Sequence, residues 1–292
     1  MPIWMSVLDH PVPVARATRE YAVACQANGG STGIRKSPIV PKRILALIVV
    51  PAVMLLASGT AAAQIPTNSK WESSSVMAQW TSPGTNFLVR NNMWNCQHDP
   101  DPCAPETVWA RSYHDWGVQT NQPAGNTAVL SYPDVQDVLT QASGNDTPLG
   151  RFTILKSTFS IRMPSGLGLY DEAAYDDWLN NWNTEVMIWV YNQGQTPAGS
   201  VVSRPVIAGQ HWAFWASGTK GNDHNTYSFV LNTNETRGSV NTLAMLDWLV
   251  KQGWVPANSG VTDNEFGMEE CSSGGHTVDF AVTGFTLTAR TS

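Results

Sequence analysis

Charge is scarce in this chain of 292 residues: only 14% are charged, against 42% that are hydrophobic. The basic excess that marks a nucleic-acid binder is missing, since 17 Lys and Arg face 23 Asp and Glu, for a net charge of −6. No heptad pattern points to a coiled coil, and the content of apolar and aromatic residues excludes a disordered chain. Histidine spacing of the H-x-x-x-H kind is absent, so His114, His211, His224 and His276 read as ordinary surface or cleft residues. Cysteine is sparse, with four in all. From Gln64 to Ser292 there is no long linker, repeat or low-complexity stretch, which leaves one domain.

The front of the chain differs from the rest. Up to Ala63 there are six basic and two acidic residues; from Gln64 onward there are 11 and 21, a net of −10. Lys42-Arg43 precedes an apolar run from Ile44 to about Ala57, then the small residues Ala61-Ala62-Ala63. That three-part pattern predicts a secretory signal cleaved after Ala63, with residues 1–63 discarded and 64–292 forming the mature, secreted domain. An uncleaved anchor is the alternative; Pro51 and the polar segment after Ala63 favour cleavage. Residues 1–39 precede a signal that needs no preface, which places the expected start nearer Val40. Export agrees with a disulfide between Cys96 and Cys103 across the turn CQHDPDPC, worth about 2–3 kcal/mol for so short a loop. His98, Asp99 and Asp101 would let the same turn bind a metal, and Cys271 would pair with one of its cysteines as the other alternative.

What the sequence has in abundance is alternation. FLVRNNMW (87–94), FTILKSTFSIRM (152–163), TEVMIWVYN (184–192), HWAFWA (211–216) and VDFAVTGFTLTA (278–289) carry period-two patterns between Gly, Asn, Asp and Pro. In the last, the alternation slips at Gly284, as a β-bulge requires. The Ser73–Ser75 run leads into a first edge strand, and Asp134 and Asp137 read as a turn after Tyr132-Pro133. One helix is predicted after an N-cap at Ser239, with Val240, Leu243, Leu246 and Val250 on its buried face and Gly253 closing it. Many strands and one helix make an all-β sandwich or jelly roll with the helix on an outer face.

The strand at 184–192 carries an unusual face. Thr184, Val186, Ile188 and Val190 suit a dry space between sheets, whereas Glu185, Met187, Trp189 and Tyr191 point the other way. A carboxylate beside large aromatic and thioether groups suits a cleft that grips a sugar, because pyranose rings offer flat C–H faces to aromatic rings. In DNEFGMEE (263–270), Glu265, Gly267 and Glu269 share one face, and Glu269 lies 84 positions beyond Glu185. Two such carboxyls across a groove are what glycoside hydrolysis requires. Trp116, Trp182 and Trp212 are either sugar platforms or core.

At these residues a resemblance becomes specific. N-T-E-V-M-I-W (183–189) resembles the nucleophile strand of glycoside hydrolase family 12, and F-G-M-E (266–269) with Gly274-Gly275 resembles its acid/base strand. A-Y-D-D-W-L (174–179) and N-N-M-W (91–94) are similar to two further motifs of that family. The resemblance implies a jelly-roll β-sandwich of two curved antiparallel sheets with one α-helix on the outer face. It implies a secreted, monomeric endo-β-1,4-glucanase that acts with retention on cellulose-like, mixed-linkage or xyloglucan chains. Glu185 would be the nucleophile, Glu269 the acid/base and Asp176 the residue that positions Glu185. Trp94, Asn92, Met187 and Trp189 would contact the β-1,4-glucan substrate. No cofactor, metal, nucleic acid or lasting membrane contact is implied. Glu270 stands where the family has Pro, the segment Glu270–Ser273 runs one residue long, and Glu270 remains an alternative acid/base. The related xylanase architecture typically has Tyr residues after its nucleophile, where this chain has Val186-Met187-Ile188-Trp189. A non-catalytic glucan-binding jelly roll is the other reading.

Overall fold

Strands with one apolar and one polar face can bury the first only by stacking, and two stacked sheets result. The computed structural model describes residues 64–96, 104–222 and 224–292. The expected leader (1–63), Cys103 and the turn residues His98, Asp99 and Asp101 lie outside the described residues.

The smaller sheet has six strands in the order Trp71–Ser73, Glu106–Ser112, Asp115–Thr120, Val278–Thr291, Phe152–Arg162 and Arg237–Val240. The larger has twelve, nine of them on one path: Ser200–Ser203, Gln210–Ala216, Thr226–Leu231, Thr184–Gln193, Leu169–Leu179, Asp263–Ser273, Asp134–Val138, Leu88–Arg90 and Gln79–Thr81. Among the described residues the strand ladders are antiparallel except that Thr184–Gln193 and Thr226–Leu231 run parallel, because the chain between them goes out and back through Ser200–Ser203, Val206–Ile207 and Gln210–Ala216. The slip at Gly284 is present as a register shift between Val282 and Gly284.

The core fills the space between the sheets. Val186, Ile188 and Val190 meet Tyr175, Phe266, Phe159 and Phe285 there. Phe266 and Phe285 stack at 5.6 Å between ring centroids. Trp116 and Trp212 are wholly buried in this core, which removes them as sugar platforms.

Two expectations need correction. The helix spans Thr242–Gln252, and its N-cap is Asn241, whose side chain accepts from the Ala244 N–H. Ser239 and Val240 are consumed by the ladder with Phe152–Arg162, so helical hydrogen bonding starts two residues later and Met245, Leu246 and Leu249 face inward. Trp248 on the helix packs edge-on against Phe214 and Phe229, so the helix covers apolar sheet that the six-stranded layer leaves open. Asp134 and Asp137 are not on a turn. They lie in a strand, and Asp134 is fully buried.

Candidate active site

The groove face is fixed by register. Leu169–Leu179 sits between the Glu185 strand and the Glu269 strand, pairing Trp178 with Glu185, Asp176 with Met187 and Glu172 with Glu269. Ala173, Tyr175 and Leu179 are in the core, so Glu172, Ala174, Asp176 and Trp178 point to the opposite face. On Asp263–Ser273, Phe266 and Met268 are core residues, which turns Asp263, Glu265, Gly267 and Glu269 toward the same side. Gly267 is required here. A Cβ would lie 2.2 Å from the Pro133 carbonyl oxygen, too close for any side chain.

Glu185 and Glu269 experience different surroundings. Thr226 Oγ1 donates to Glu185 Oε2 at 2.7 Å, and Asp176 shares a hydrogen bond with Glu185. Burial raises the Glu185 pKa, and those two hydrogen bonds pull it back. Asp176 is pushed well up by burial and by the charges of Glu185, Glu265 and Glu269, so it holds a proton and is the donor of the pair. Glu269 is raised to about 8, first by burial and next by the Glu185 charge, with a hydrogen bond to Glu172 acting the other way. At neutral pH, Glu269 is therefore largely a neutral acid.

A second group lies beside them. Arg90 holds Asp134 through Nε at 2.9 Å and Nη2 at 2.9 Å, and its Nη2 also reaches Glu265 at 2.6 Å. Gln136 donates to Asp263 at 2.7 Å and to Glu265 at 2.8 Å, while Asn92 donates to Asp134 at 3.0 Å. Burial outweighs the arginine, so Asp134 is raised to about 7 and Glu265 to about 8. Tyr132 donates to the Ala174 carbonyl at 3.1 Å and sits among the charges of Asp176, Glu265, Asp134 and Glu172.

Trp94 is half-buried against Val129, Cys271 and Tyr170. Met187 and Trp189 lie on the groove side with Ala174, but each is only 1% exposed, so they form the floor and offer no open ring face. A recess lined by Trp178, Asn183, Glu185, His224, Asn225 and Thr226 opens beside Glu185. A separate hollow of about 390 Å³, lined by Tyr113, His114 and Phe285 among others, contains no carboxyl group. A neutral acid and a hydrogen-bonded carboxyl on one face, on the two strands that flank Leu169–Leu179, can between them protonate a leaving oxygen and attack a carbon.

The family model of glycosyl hydrolase family 12 matches residues 85–290. This chain belongs to glycosyl hydrolase family 12. Endoglucanase S of Pectobacterium parmentieri is 27% identical over 204 residues, 63% of this chain and 75% of that protein. The family 12 xyloglucanase from Bacillus licheniformis is similar in structure, with a TM-score of 0.65 and 23% identity, over 75% of this chain and all of the other. The xyloglucanase domain of NopAA from Sinorhizobium fredii, in complex with cellobiose, aligns at TM-score 0.65 and 21% identity over 76% of this chain and all of its own. The protein is a glycoside hydrolase of the endoglucanase type.

Within this family 12 enzyme, the extra residue near the acid/base motif has a structural explanation. The ladder with Leu169–Leu179 shifts register between Glu270 and Ser272, so Cys271 is bulged out and the spacing beyond it is restored. Cys271 is fully buried, and neither it nor Cys96 is a free thiol. Glu270 points between the sheets, where it shares a hydrogen bond with Glu106. Glu106 also accepts from Thr120 at 3.1 Å, Gln122 at 3.2 Å and Ser131 at 2.9 Å.

Sequence reasoning missed Arg90, Asp134, Glu172, Tyr132 and Thr226. Arg90 carried one signal: it is a charge inside the alternating FLVR segment immediately before Asn91-Asn92. The others are joined to the site only by strand register.

Proposed function

We propose that this family 12 enzyme hydrolyses internal β-1,4-glucosidic bonds of cellulose-like glucans by double displacement, with net retention. Glu185 attacks the anomeric carbon, and Glu269 gives its proton to the departing glycosidic oxygen. A glycosyl ester on Glu185 results. The negative charge of Glu185 is then gone, the Glu269 carboxylate takes a proton from water, and that water releases the sugar and restores both groups. Asp176 and Thr226 donate to Glu185 and aim it. Trp94 stacks one glucosyl unit with Asn92 beside it, and Met187 and Trp189 form the floor beneath the reacting sugar.

The carrying observation is the pair itself: a buried Glu269 raised to about 8 under the charge of Glu185, which two donors stabilise. Mixed-linkage glucan and xyloglucan are further substrates to consider, since related proteins are described as endoglucanase and xyloglucanase. The leader-like pattern before Gln64 supports cleavage after Ala63 and export of residues 64–292.

Glu185→Gln should cut turnover by at least about 10³-fold while glucan binding and folding persist. NMR of the earliest products should show the β-anomer. Appearance of the α-anomer first would refute retention, and near-normal activity of the variant would remove Glu185 as nucleophile. Reducing-sugar assays on carboxymethylcellulose, barley β-glucan, xyloglucan and xylan then rank the substrates.

A further inference from the structure

The proposed mechanism uses three carboxyls, yet a fourth stands among them. Glu172 is directly opposite Glu269 in the ladder between Leu169–Leu179 and Asp263–Ser273, and its side chain points to the same face. It is fully buried, and neither of its oxygens receives an N–H or hydroxyl from any described residue. Its hydrogen-bond partner is the Glu269 carboxyl.

Two carboxyls can bond to each other only with a proton between them, and the surroundings decide which one keeps it. From the facing strand comes Glu269, from its own strand Asp171, and from Thr184–Gln193 comes Glu185; every one of them is acidic. Tyr132 also lies near Glu172, and its hydroxyl is committed to the Ala174 carbonyl. Asn192, in register with Glu172 on the other side, donates to the Gln195 carbonyl. Among the described residues the strongest influences on Glu172 are burial and these acidic neighbours, and they raise it well above the usual carboxyl range.

We infer that Glu172 is a positioning residue for the acid/base, a permanently protonated carboxyl that donates to Glu269 and holds it in one orientation through both of its charge states. The inference rests on reading Glu269 as the acid/base. In the first step Glu269 loses its proton to the leaving oxygen, and the Glu172 O–H steadies the carboxylate left behind. In the second step Glu269 takes the proton of the attacking water, and Glu172 keeps its own. The donor makes Glu269 a stronger acid than burial alone would leave it.

The test compares Glu172→Gln, which keeps a donor of nearly the same size, with Glu172→Met, which removes it. The alkaline limb of kcat/KM on barley β-glucan reports the loss of the Glu269 proton. In the Met variant that limb should move up by about one pH unit, with kcat roughly tenfold lower and KM within about twofold. The Gln variant should keep the parental limb. An unmoved limb in the Met variant, or an equal shift in both, overturns the inference. Should the Met variant fail to fold, infrared spectroscopy decides: the difference spectrum between the parent protein and Glu172→Gln at neutral pH should show the loss of one protonated-carboxyl band, and a spectrum without that loss overturns the inference. Azide rescue of Glu269→Ala on an aryl β-cellobioside is run alongside. Rescue with an unmoved limb sinks the Glu172 role alone, whereas no rescue sinks the Glu269 assignment beneath it.

Discussion

One peptide unit separates Glu269 from Glu270 and reverses everything about their environment. Glu269 faces the groove, answers to the charge of Glu185 and bonds to Glu172. Glu270 faces the interior, where burial and Glu106 push it up well above an ordinary carboxyl, so it is the protonated donor and Glu106, raised only to about 6, the acceptor. A pair sharing one proton between two sheets is a structural contact, remote from any sugar. Glu269→Ala should lose activity on glucan by at least about 10²-fold and recover part of it with azide on a substrate whose leaving group needs no acid. Glu270→Gln keeps the donor and should retain at least about half of the parental activity, with no response to azide. Azide rescue at 270 in place of 269 would exchange their roles.

At the scale of elements, the hairpin between Leu169–Leu179 and Thr184–Gln193 has a second feature beside the carboxyls. Asn180, Asn181 and Trp182 all hold positive φ, at 56°, 55° and 65°, a conformation that costs energy for residues with side chains. The result is a Trp182 ring 45% exposed, 5.6 Å from the ring of Trp178. Along the middle strand, the order is Tyr170 beside Trp94, Glu172 opposite Glu269, Asp176, then Trp178 opposite Glu185. The carboxyl pair thus lies between Trp94 and the Trp178–Trp182 pair, where a glucan chain long enough to pass both would meet aromatic surface at each end. Trp182→Ala should raise KM for long cello-oligosaccharides roughly fivefold, with kcat within about twofold and an unchanged melting temperature. An unchanged KM would place this hairpin outside the path of the chain.

The same elements show what could be read before the structure and what could not. The long strands were legible because each keeps one dry face; the Glu185 strand stood out because alternation puts a carboxyl among large apolar groups, and the Glu269 strand because alternation puts Glu265, Gly267 and Glu269 on one face. The helix start was not, because Ser239 is as good a cap as Asn241 until Arg237–Val240 is known to pair with the 152–162 strand. Asp134 was misread because Tyr132-Pro133 looks like a turn, and only Arg90, 44 positions away, reveals why a carboxyl lies buried there. Glu172 follows Asp171 in what resembles a solvated acidic pair; pairing with Glu269, near the other end of the chain, buries it beside that carboxyl on the groove face.

For the molecule as a whole, the distribution of charge predicts how stability depends on pH. Burial raises Glu106 to about 6, Asp134, Asp171 and Asp263 to about 7, and Asp177, Glu265 and Glu269 to about 8. In the unfolded chain such groups titrate near 4. Between those limits the folded protein binds more protons than the unfolded one, so the derivative of unfolding free energy with pH is negative. The contribution is complete below about pH 4 and is lost as pH climbs through 6 to 8. Each folding-linked proton changes stability by about 1.4 kcal/mol per pH unit, and each kcal/mol moves the melting temperature by roughly 2–4 °C in a domain of this size. Calorimetry of residues 64–292 should therefore show a melting temperature at least about 5 °C lower at pH 8 than at pH 5. A flat or rising profile would mean that these carboxyls ionise at ordinary values inside the fold. Because Glu269 titrates in the same window, activity and stability should decline together as pH rises, but on different terms. Activity lost through Glu269 returns at once when the pH is lowered, whereas activity lost to unfolding returns only at the rate of refolding.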